Sequence, residues 1–184
     1  MGFGTYVDAA GRRSDGAAGF GVGDNHTREV STAIATAIDW LRRQYTPRGV
    51  IVVGHSGGGT LAANLIGDRP RLVDAALIVA CSCDVWKWRA KMRRERLLPI
   101  WWWPLPSSTL FPFDSVAKVA NGTRVRLLVG DQDDVVEPDY SARYAQALQA
   151  RGIDARFRIL PGAGHNVPLS RAVFEELAQL ANGY

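Results

Sequence analysis

The sequence has few of the residues and patterns that identify several protein classes. It contains two cysteines, three histidines and a formal net charge of only +4 in 184 residues. Apolar residues make up 47% of the chain, but none of their runs approaches the roughly 18 residues that a transmembrane helix needs. The first 23 residues are rich in Gly, Asp and Arg, whereas a signal peptide has an apolar core. We therefore expect no membrane span, no secretion and a single globular domain over residues 1–184.

The two cysteines, Cys81 and Cys83, argue against a disulfide framework and against a zinc site. On an extended segment their side chains point the same way, which places them poorly for a relaxed disulfide. No histidine or further cysteine lies nearby to complete a metal site. We expect reduced, partly buried thiols, no metal ion and, on this basis, a cytoplasmic location.

Positive charge is concentrated in one segment of the chain. Residues 87–96 contain six basic residues and one acidic residue, while the remainder is close to neutral. A nucleic-acid-binding protein usually shows a uniformly basic face or repeated basic stripes. We therefore expect no nucleic-acid partner and interpret the cluster as the solvated face of a helix. Contact of this helix with anionic lipid is the less favoured alternative.

Short β-branched runs alternate with longer amphipathic stretches, a pattern typical of a parallel sheet with helices on both faces. The predicted strands are residues 4–7, 50–53, 75–80, 124–129 and 155–160. The predicted helices are residues 29–45, 57–67, 140–151 and 170–181. The sequence therefore predicts an α/β fold with a mainly parallel sheet.

The stretch from 84 to 121 interrupts this alternation. It contains the basic cluster, then a proline-punctuated apolar run with Trp101, Trp102 and Trp103, then a short segment at 114–120 with room for one or two helical turns. An insertion of this kind between two strands is commonly a lid or a substrate wall. We predict a lid whose three tryptophans contact substrate. The alternatives are packing of the lid on its own core, and a surface left exposed because the N-terminal part is missing.

The strongest chemical signal is the motif Gly54-His55-Ser56-Gly57-Gly58, which follows an apolar strand and precedes an Ala/Leu-rich helix. In this context the motif predicts a sharp turn that raises the Ser56 hydroxyl above the sheet. Gly54 and Gly58 are expected to flank the turn because side chains there would collide. The amide of Gly57, at the start of the helix, is the predicted donor to an oxyanion.

A serine hydroxyl needs a base within reach and a carboxylate that orients the base. Candidates follow two later strands, whose carboxyl ends lie along the same sheet edge as Ser56. The base is predicted to be His165, in a glycine-rich loop. His26 is expected to cap the next helix, and His55 to pack beneath or beside the turn. The acid is predicted to be Asp133. The neighbouring aspartates, Asp131 and Asp134, remain alternatives.

These segments resemble the α/β-hydrolases, particularly the esterase, dienelactone-hydrolase and prolyl-oligopeptidase-like branches. The resemblance rests on GHSGGG, on GDQDDVVEP, which is similar to the family's acid loop, and on PGAGHN. It extends upstream to residues 8–16, which are similar to the segment after the family's fourth strand. It implies an N-terminally truncated fold: residues 4–7 correspond to strand four, so strands one to three and the loop that usually donates the second oxyanion amide are missing.

The residues and the resemblance together favour a serine hydrolase that cleaves a carboxylic ester of a small molecule through an acyl-enzyme, without metal or cofactor. Peptide or amide hydrolysis is the second expectation. A catalytically silent binding module or fragment is the alternative from a different class. The sequence does not specify the substrate or the oligomeric state.

Overall fold

The computed structural model describes residues 10–11, 26–97, 104–167 and 170–183. These residues form one sheet of four parallel strands in the order β1-β2-β3-β4. The strands are β1 (Ile51–His55), β2 (Ala75–Val79), β3 (Arg124–Gly130) and β4 (Asp154–Leu160). All four agree with the predicted strands to within two residues. The strand predicted at residues 4–7 lies outside the described residues.

Helices lie in every connection between successive strands, as parallel pairing requires, and two further helices precede β1 and follow β4. They are α1 (Arg28–Tyr45), α2 (Gly57–Asp68), α3 (Val85–Glu95), α4 (Pro112–Ser115), α5 (Pro138–Gln149) and α6 (Arg171–Ala181), with a 3₁₀ turn at Val116–Lys118. None of the described helices combines the length and the apolar character needed to cross a bilayer.

The core lies on both faces of the sheet. Along β2 the side chains alternate between the two faces: Ala76 and Ile78 pack in the cluster that contains residues of α1, α2 and α5. Leu77 and Val79 pack in the cluster that contains residues of α6. A strand buried on both sides is uniformly apolar, which explains why this run reads as continuous hydrophobic sequence.

The segment 84–121 carries α3, α4 and the 3₁₀ turn between β2 and β3. Trp88 and Met92 of α3 pack against Val136 and Tyr140, so this helix lies over the loop that follows β3. Three of the six basic residues in the cluster are exposed, as expected, and two are half-buried, but Arg89 is only 1% exposed. Residues 98–103 lie outside the described residues, so the predicted contacts of Trp101, Trp102 and Trp103 remain predictions.

The prediction of reduced thiols is wrong. Cys81 and Cys83 form a disulfide, with their Cα atoms 5.1 Å apart, and both are buried. The prediction assumed an extended segment, but Ala80 takes a positive φ of 48°, which turns the chain before the first cysteine. The argument for a reducing compartment therefore loses its basis.

Candidate active site

The turn between β1 and α2 holds Ser56 in a conformation that L-residues rarely adopt, with φ 54° and ψ −121°. The Ser56 amide donates to the Val79 carbonyl of β2 at 2.9 Å, which ties the turn to the neighbouring strand. A Cβ added at Gly54 would collide with the Gly58 carbonyl, so this position requires glycine. At Gly58 an added Cβ would meet no heavy atom beyond its own helical turn; the predicted steric need for glycine there is wrong.

The loop after β3 contains the three candidate aspartates. The carboxylate of Asp133 accepts the amides of Val135 at 3.0 Å and Val136 at 2.8 Å, and this side chain is fully buried. Asp131 instead accepts the Gly162 amide at 2.8 Å, and Asp134 is exposed. These two backbone donors hold the Asp133 carboxylate in a fixed orientation.

Three side chains from three strand ends meet at the carboxyl edge of the sheet. His165 Nδ1 lies 2.9 Å from Oδ2 and 3.0 Å from Oδ1 of Asp133. On the other side of the ring, Nε2 lies 3.0 Å from Ser56 Oγ. A carboxylate that accepts from Nδ1 fixes the tautomer that leaves Nε2 free to take the serine proton.

The preceding histidine, His55, contacts the same loop. Its Nε2 lies 2.8 Å from the backbone oxygen of His165, and the two rings are 4.9 Å apart with planes tilted by 46°. A carbonyl oxygen can only accept, so His55 donates this hydrogen bond. The ring packs beside the turn, as expected, but this specific contact has no sequence signal.

The third histidine, His26, is not the helix cap that the sequence suggested. Thr27 caps α1, because its side chain accepts from the Val30 amide. His26 is 1% exposed and lies near the start of α2. The pKa of His26 is lowered to about 4, chiefly by burial and to a smaller extent by the nearby Arg89 guanidinium, while a backbone hydrogen bond with Gly57 acts in the opposite direction.

Gly57 is the first residue of α2, so its amide has no acceptor four residues earlier within the helix. It adjoins Ser56 at the positive end of the helix dipole, which is the position expected of an oxyanion donor. Its role remains a prediction. Among the described residues, no group of three or more His, Cys, Asp or Glu side chains is arranged to hold a metal ion.

Residues 19–182 match the prolyl oligopeptidase family. Solved structures with the same fold include esterase PE8 (20% identity, TM-score 0.59), the Pyrococcus furiosus esterase Pf2001 (13%, 0.64) and Arabidopsis thaliana SOBER1 (16%, 0.58). Each likeness covers 84% of this chain, and this chain spans only 60–62% of the length of those proteins. No curated protein matches the chain. The chain belongs to the prolyl oligopeptidase family and has the α/β-hydrolase fold.

Proposed function

We propose that the protein is a serine hydrolase that cleaves a carboxylic ester of a small molecule through an acyl-enzyme. The observation that carries the proposal is the chain of contacts from Ser56 Oγ through the His165 ring to the Asp133 carboxylate, at 3.0 Å and 2.9 Å. Both distances lie within hydrogen-bond range, which the proton transfer from Ser56 to His165 requires.

In the proposed reaction Ser56 Oγ attacks the acyl carbonyl while His165 Nε2 takes the hydroxyl proton. Asp133 stabilises the resulting imidazolium without taking its proton. The Gly57 amide donates to the oxyanion, and the leaving alcohol receives the proton from His165 as the ester bond breaks. A water molecule, deprotonated by His165, then attacks the acyl carbon; the bond to Ser56 Oγ breaks, His165 returns the proton to Oγ, and the acid leaves.

A fluorophosphonate probe tests this proposal without knowledge of the substrate. Ser56 Oγ would form a bond to phosphorus while fluoride leaves, and tryptic mass spectrometry would locate the adduct on Ser56. This reagent is a better first test than turnover, because Gly57 is the one oxyanion donor that we identify in the described part of the chain. A missing donor costs roughly 10²–10³ in kcat.

Two variants control the labelling experiment. Ser56→Ala should abolish labelling, whereas Ser82→Ala should label at the normal rate. Ser82 is a matched control, because its hydroxyl is buried close to the same turn and contacts Thr60 Oγ1 at 2.8 Å. A folded wild-type protein that stays unlabelled after prolonged incubation would refute the hydrolase and favour a catalytically silent binding module.

Peptide or amide hydrolysis is a second candidate, supported by the match of residues 19–182 to the prolyl oligopeptidase family. The two candidates differ in the leaving group, since His165 would protonate an amine rather than an alcohol. A panel of p-nitrophenyl esters and aminoacyl p-nitroanilides separates them. Turnover of the esters alone would support the esterase, and turnover of the anilides at a comparable kcat/KM would support the peptidase.

A further inference from the structure

The loop that carries His165 is held from two sides by side chains outside it. On one side, Asp131 accepts the Gly162 amide at 2.8 Å. On the other, His55 donates to the His165 carbonyl at 2.8 Å, and the Val167 amide reaches the same oxygen at 3.1 Å. The residues from 161 to 167 have no regular secondary structure, so such bonds determine where the loop places its imidazole.

The His55 contact differs from the Asp131 contact in where it is anchored. His55 immediately precedes Ser56 in the chain. The same short turn therefore carries the Ser56 hydroxyl and the His55 side chain that donates to the His165 backbone. Within His165, the ring faces Ser56 Oγ at 3.0 Å, while the carbonyl faces His55. A displacement of the loop would therefore break the His55 bond and lengthen the contact between His165 and Ser56 together.

We propose that His55 is a positioning residue: its Nε2–H fixes the His165 backbone relative to the turn, so that the imidazole stays within proton-transfer range of Ser56. This inference rests on the proposed serine hydrolase. His55 does not react; it acts through His165. A misplacement of about 1 Å in a catalytic group can cost on the order of 10²-fold in rate, so the loss of one such bond has a measurable effect.

Three substitutions separate hydrogen bonding from packing. His55→Phe keeps a ring but has no donor, His55→Leu is a second variant without a donor, and His55→Gln retains an N–H at a similar reach. The measurements are the rate of fluorophosphonate labelling at Ser56, and kcat and KM for p-nitrophenyl acetate. Labelling rates are normalised to the folded fraction from thermal unfolding, so that a partly unfolded variant still gives a usable rate.

We expect labelling of the Phe and Leu variants to fall by roughly 10–100-fold, with kcat lowered and KM little changed. The Gln variant should keep most of the wild-type rate. Equal losses in all three variants would overturn the inference and leave packing as the role of His55. Normal labelling of the Phe and Leu variants would also overturn it while leaving the hydrolase intact. An unlabelled wild type would overturn both.

Discussion

The burial of His26 predicts that the fold loses stability in mild acid. The pKa of this ring falls from 6.5 to about 4 on folding, chiefly because burial penalises the charged form. Between these two values the unfolded chain binds a proton that the folded chain does not. The free energy of unfolding therefore decreases as the pH falls through this window, and the full loss is reached near the lower value.

The size of the effect follows from the difference between the two pKa values. At 1.36 kcal/mol per pH unit, the fall of the His26 pKa from 6.5 to about 4 corresponds to about 3 kcal/mol. Domains are commonly stable by about 5–15 kcal/mol, so a loss of this size would be visible in a denaturant titration. The adjoining Arg89 guanidinium adds to the penalty, since a second positive charge beside a protonated ring is unfavourable.

Urea unfolding of wild type and His26→Phe, at about pH 7 and about pH 4, measures this contribution. The wild type should lose about 3 kcal/mol more than the variant on acidification. Carboxylates also titrate near the lower pH: Arg126 lowers the pKa of Asp154 through a hydrogen bond, and Ser108 lowers that of Glu29 in the same way. The stability that these carboxylates lose on acidification is the same in wild type and variant, so it cancels in the comparison.

A second variant, His26→Leu, guards against an effect specific to the phenylalanine ring. Both variants should show the same reduced pH dependence. If the difference between wild type and variants were independent of pH, the His26 ring would be hydrated or paired when protonated. The assignment of His26 as a neutral buried residue would then be wrong.

Two further predictions concern the acid loop and the disulfide. Asp133→Asn should lower kcat by roughly 10⁴-fold, because an amide does not enforce the required His165 tautomer. Asp131→Asn keeps an acceptor for the Gly162 amide and should retain activity. Equal losses of the two variants in esterase assays would contradict the assignment of Asp133 as the acid. Alkylation of the unfolded, unreduced chain should modify neither Cys81 nor Cys83. Reduction should lower the free energy of unfolding by only about 1–2 kcal/mol, since the disulfide closes a three-residue loop. Two alkylated cysteines, or a much larger loss of stability in a denaturant titration, would contradict this prediction.

Periodicity was sufficient to predict the sheet because its strands are short runs, either apolar throughout or alternating between polar and apolar residues, and are separated by amphipathic helices. The predicted strand at 155–160 corresponds to β4 (Asp154–Leu160), and the predicted helix at 29–45 to α1 (Arg28–Tyr45). Both patterns depend on which face of an element is buried, and residue order alone reveals this. The convergence of the serine, aspartate and histidine motifs at one edge of the sheet was predictable as well, because each motif follows a predicted strand.

Features that depend on individual backbone angles were not predictable. The disulfide depends on the left-handed backbone conformation of Ala80, which an alanine in the sequence does not predict. The contact of His55 with the His165 carbonyl joins positions separated by 110 residues, so no local pattern encodes it. His26 is buried near Gly57 and Arg89, which are distant in sequence, and its position before a helix suggested only a cap.

The strand order explains why the loop after β4 needs its particular sequence. Ser56 follows β1 and His165 follows β4, and the ends of these two strands lie three strand spacings apart, roughly 14 Å at about 4.8 Å per spacing. The loop must therefore cross the end of β3 to reach the nucleophile. It passes so close that a Cβ at Gly130 would collide with the Ala163 carbonyl, and glycine is required there. At the far end of the crossing, His55 meets the loop beside Ser56. The acid loop, the crossing glycine and the histidine before the nucleophile thus form one structural unit, because each limits where the imidazole can lie.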